Sequence, residues 1–133
     1  MNMNISKGIR FYTEHDVEDA KKIADRIIML HSSNEKFDHW EIYASYILMT
    51  AILTDGYRKI SEKQLPAVYI NDMKKLAESS PEDIKQELMT GAMLHLPTDT
   101  FRNMKDVIQN IAKTGTEEFK SITETFGEAL NNM

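Results

Sequence analysis

The stretch FDHWEIYASYILMTAIL, residues 37–53, decides how the rest of the chain is read. After Asp38, His39, Trp40 and Glu41, no charge occurs from Ile42 to Thr54, and apolar side chains fall at nearly every azimuth of a helix. A helix apolar on all sides must be enclosed by lipid, by its own chain or by a partner. Spanning a bilayer takes about 20 apolar residues, and Asp55, Arg58 and Lys59 close this run too early. The stretch therefore reads as a core helix.

Working outward, 133 residues suit one domain with a single core, and 41% hydrophobic with 28% charged residues lies in the globular range. The chain has no cysteine, which removes disulfides, thiol nucleophiles and thiolate metal ligands. MNMNISKGIRF lacks the apolar stretch of a secretory signal, so a cytoplasmic location is expected. A formal charge of −5 has the wrong sign for a domain whose main task is unspecific phosphate binding.

The punctuation around the core helix predicts six helices. Thr13 in TEHD is a candidate cap, with Asp16 at the positive helix end. Val17, Ala20, Ile23, Ala24, Ile27 and Ile28 then face inward to about Leu30, leaving Glu18, Lys21, Lys22, Asp25 and Arg26 mostly toward water. HSSNEKF breaks the chain, Asp38 and Glu41 cap the core helix, and Gly56 is expected to end it at about Asp55. A short turn leads to a helix of about residues 66–78. Ser80, Pro81, Glu82 and Asp83 open the next, which runs to near Leu94. Thr98 or Thr100 caps a helix that places Phe101, Met104, Val107, Ile108 and Ile111 on one face and stops at Gly115. The last begins near Thr116, with Phe119, Ile122, Phe126 and Leu130 inward. GIRFYT reads as a short extended N-terminal lead-in. The expected class is all-α, one helical domain over residues 1–133.

Chemistry is sparse. His15, His31, His39 and His95 form no ligand spacing, and no Glu-x-x-His motif exists to build a di-iron bundle. The five glycines are scattered, so no phosphate cradle and no nucleophile elbow forms. A carboxylate site around His15 and Asp16 is the one small-enzyme reading left. Met29, Met49, Met73, Met89, Met93 and Met104 read as core filling before they read as a pliable binding surface. Basic residues cluster at Lys21, Lys22 and Arg26, at Lys74 and Lys75, and at Arg102, Lys105 and Lys113. On one helix Arg102, Lys105 and Gln109 would share a side able to meet phosphates, though a solvated face explains them as simply and no aromatics interleave. Composition and periodicity thus point to a binding module before an enzyme.

Three blocks carry a resemblance. IRFYTEHDVEDAKKIADRII with Ala20, Ile23 and Ala24, then DHWEIYASYILMTAIL with Trp40, Ala44, Leu48, Ile52 and Leu53, stand in order before TEEFKSITETFGEALNNM with Glu118, Ser121, Ile122 and Thr125. In that order they resemble the all-α domain of TraG/TraD-type coupling proteins of type IV secretion and conjugation; residues 56–113 match only in helical character. The resemblance implies a helical insertion in the nucleotide-binding domain of a hexameric, membrane-anchored ATPase, at the cytoplasmic face of the bacterial inner membrane. It also implies that ATP and Mg belong to the parent, whose Walker A and Walker B would lie outside this region, so that the piece itself holds no cofactor and performs no catalysis. Its partners would be effector proteins or their adaptors, or a relaxase with single-stranded DNA. As an isolated piece it is expected to be a monomer. Partner contacts are assigned to Lys74, Lys75, Arg102, Lys105 and Lys113. The alternative is a small DNA-binding helical protein that uses the same basic faces.

Overall fold

The computed structural model describes residues 2–133. Seven α-helices follow one another: α1 Asp16–His31, α2 His39–Ser61, α3 Ile70–Ala77, α4 Pro81–His95, α5 Thr98–Asn103, α6 Lys105–Lys113 and α7 Thr116–Asn131. The described residues contain no strand; a single antiparallel bridge joins Asn4 to Tyr69. The class is all-α, as the periodicity requires.

The apolar run lies at the centre. Along α2, Ala44, Ile47, Leu48, Met49, Ala51, Ile52 and Leu53 are buried, and α1, α7, α4 and α3 pack around the rod. It is enclosed by its own chain. Its start is set by the foreseen capping box: the Asp38 carboxylate accepts from the Glu41 N–H at 2.8 Å, and the Glu41 carboxylate accepts from the Asp38 N–H at 3.0 Å. Glu41 is nearly buried in doing so. Burial alone would raise its pKa, but the Asp38 backbone donor and the Ser32 and Asn34 side chains outweigh that and hold it low.

Gly56 does not end α2. No glycine among the described residues has positive φ, so the left-handed terminator expected there is missing, and the helix continues to Ser61. Gly56 instead serves packing, because a Cβ built on it would stand 2.6 Å from two ring carbons of Phe11. The turn comes later, at Lys63, whose φ is 60°.

Five further expectations are corrected. Thr13 does not cap α1: its hydroxyl donates to the Arg10 carbonyl at 2.6 Å and accepts from the His15 N–H at 3.2 Å, fixing a turn one step earlier. GIRFYT is likewise turn-rich, with Tyr12 at φ 59°, and the extended pairing lies before it, where Ile5 N–H donates to Val68 O and Ile70 N–H to Met3 O, both at 2.8 Å. That pairing holds residues 66–69 extended, so α3 starts only at Ile70. The helix expected from Thr98 to Gly115 is two, because Met104 leaves helical geometry at φ −101°, ψ 4° while its side chain is fully buried. Of the core methionines, Met49, Met73 and Met104 are buried and Met89 packs against the core, whereas Met29 and Met93 lie on the surface.

Candidate docking surface

The five cations assigned from sequence do not converge. Lys74 and Lys75 lie in the last turn of α3, which packs on α7 and α2. Arg102 lies in the last turn of α5 and reaches Asp99 at 3.5 Å, both side chains well exposed, a pair that contributes little. Lys105 and Lys113 stand at the two ends of α6, whose packing partners are α4 and α5. Four-residue steps put Lys105, Gln109 and Lys113 on one stripe. The break at Met104 removes Arg102 from that stripe, so the shared side expected for Arg102, Lys105 and Gln109 is interrupted.

Apolar surface does converge, where the sequence offered no motif. Ile42, Tyr43, Tyr46 and Ile47 of α2 face Val107 and Ile111 of α6 across a groove of about 390 Å³ floored by Phe119 and Ile122 of α7. Asp106, Asn110 and Thr114 form its polar edge, and the Lys21 ammonium sits 4.5 Å from the Tyr46 ring centre. Trp40, at 39% exposure, and Ile42, at 42%, extend apolar surface along the start of α2. Four-residue steps put Ile42 with Tyr46, Tyr43 with Ile47 and Val107 with Ile111 on one side of their helices, but only tertiary packing lays these faces over α7.

The polar clusters hold the fold together. Asp16 is 1% exposed. One of its carboxylate oxygens accepts from Tyr57 at 2.6 Å and from the Thr100 hydroxyl, while the Tyr57 oxygen accepts from the Tyr12 N–H at 2.9 Å. Burial, then the Asp16 hydrogen bond, push the Tyr57 phenol up to about 12. His15 faces Glu14 and Glu18 at the surface, whereas the neighbouring Asp16 carboxylate is buried. Ser45 lies 3.1 Å from the Lys21 ammonium, a nucleophile-and-base pairing by residue type, yet it is wholly buried and donates its proton to Asp25. No group of three or more His, Asp or Glu able to hold a metal ion occurs among the described residues. No described helix is long and apolar enough to cross a membrane.

Compared with protein-family models, with curated proteins and with solved structures, the chain finds no match.

Proposed function

We propose that the chain is the substrate-recognition domain of a TraG/TraD-type coupling ATPase, which receives cargo for a type IV secretion channel and leaves nucleotide hydrolysis to the parent. One observation carries the reading. The three blocks that bear the resemblance are the helices that pack on one another: α1 on α2, α2 on α7 and α1 on α7. Ala20, Ala24, Ala44, Leu48, Ile52 and Ile122 are all buried in that shared core. The first residues of the second block also touch the third, through His39 and Glu118 at 2.9 Å. Blocks shared with a family for structural reasons should form one packed unit, and these do; the divergent residues 56–113 supply α3 to α6 around it.

Effector protein or adaptor is favoured over bare DNA as cargo, because the charge is −5 and the assigned cations are dispersed over α3, α5 and α6. Reading the native gene on both sides tests the parent directly: Walker A before this region and Walker B after it are expected, and their absence overturns the proposal. The purified chain should hydrolyse no ATP. It should retain a purified effector, adaptor or relaxase encoded with it. The DNA-binding alternative predicts affinity for single-stranded oligonucleotide that falls steeply with salt and drops when Lys105 and Lys113 are changed to glutamate.

A further inference from the structure

A second cleft, of about 440 Å³, lies between residues 3–8 and the outer face of α1. Ile5 and Ile27 are its buried floor, Ile23 a half-buried wall, and Met3, Leu30 and Met133 an exposed apolar lip. Lys7, Lys22 and Arg26 stand around it. Among the described residues, neither Lys7 nor Arg26 has a carboxylate within 4.0 Å, and Lys22 shares only a 3.3 Å surface pair with Glu18. The one acidic side chain lining the cleft, Asp19, is already engaged: Arg10 donates to it through Nε at 2.9 Å, a terminal nitrogen at 2.8 Å and the backbone N–H at 3.0 Å. In a chain of charge −5, this cleft therefore presents an excess of positive side chains, Lys7 and Arg26 above all, over apolar surface.

We propose that the cleft between the N-terminal segment and α1 docks an acidic polypeptide segment that carries apolar anchor side chains. Charge complementarity selects the acid, since cations at the rim of an interface steer and orient an anionic partner. The concave apolar floor selects anchors, as in an amphipathic helix laid into a groove. Other occupants fit worse. Two copies meeting through this face about a two-fold axis would set cations against cations. Nucleic acid would find no aromatic ring along the cleft to stack upon. An anionic bilayer is attracted by clusters of about four to eight cations on a projecting surface, whereas this is a recess with three on an acidic protein. Lys22, Ile23, Arg26 and Ile27 lie within the first matched block, but the inference uses the charge and exposure around the cleft and not the resemblance, so it can fail or hold without the secretion reading.

A fluorescently labelled helical peptide of glutamate and leucine, with leucines at three- and four-residue steps, is the probe for the full chain. Wild-type protein should bind it, with affinity falling as salt rises, and should discriminate against the same peptide with lysine in place of glutamate. Lys7→Glu with Arg26→Glu should weaken binding by about tenfold or more. Leu30→Asn, which removes the apolar anchor contact and adds no charge, should weaken it at unchanged salt dependence. All three side chains are exposed, so helical circular dichroism should be unchanged in every variant. Equal binding of both peptides, unaltered affinity of the charge-reversed variant, or no binding by wild type overturns the proposal. So does binding only to phosphatidylserine vesicles, or self-association that Leu30→Asn abolishes.

Discussion

A buried carboxylate must be surrounded by donors, and Asp16 meets that requirement with groups from three separate stretches: Tyr57 of α2, Thr100 of α5 and the Val17 N–H of α1. Tyr57→Phe removes one donor and also strands the Tyr12 N–H. It should cost about 1–3 kcal/mol, read as a lowered urea midpoint at unchanged slope, and Thr100→Val should be non-additive with it. Asp19 makes the pH-dependent contribution. The hydrogen bond from Arg10, working against burial, lowers its carboxyl to about 2 from an ordinary 3.8. Its stabilisation is thus complete above the unfolded value and lost as pH falls through the folded one. Asp19→Asn should flatten the acid limb of stability between about pH 4 and 2 and leave its shape above pH 5 unchanged, by thermal melts. Neither role was legible in the sequence, where Asp16 reads as a helix-end charge and Asp19 as one acid among several. Their partners lie far off in the chain or in a turn.

At the scale of the element, local chemistry was legible where it is self-contained. The Asp38 and Glu41 box, the Ser80 cap that accepts from Asp83 N–H at 3.2 Å, and Pro81 at the start of α4 all act within four residues. Ends set by distant packing were not. Gly56 has the composition of a terminator, but the Phe11 ring occupies the space over it and the helix carries on. Gly→Ala inside a helix ordinarily stabilises by about 1 kcal/mol. Here Gly56→Ala should destabilise instead, and adding Phe11→Leu should recover part of the loss, measured by denaturant titration. Thr98 to Gly115 reads as one amphipathic helix for the same reason: its periodicity announces that Met104 faces the core, but nothing in it announces that the helix breaks there while Thr100 is tied to Asp16.

For the whole molecule, all-round apolarity in residues 42–54 foretold a sheathed rod, and the rod is sheathed. Which neighbours do the sheathing was not legible, and so neither were the clefts between them, since each is lined by residues from separated segments. Helix α7 is the keystone, packing on α1, α2, α3 and α4 at once. Ile122→Ala on its buried face should cost about 2–5 kcal/mol, and a chain ending before Thr116 should melt without a cooperative transition, by calorimetry. The lone indole of Trp40 stands edge-on to His39 with ring centres 4.7 Å apart, and His39 in turn holds Glu118 near the start of α7. The protein therefore carries an intrinsic optical gauge at this seam: tryptophan emission should change when α7 lifts away, before far-ultraviolet ellipticity records any loss of helix.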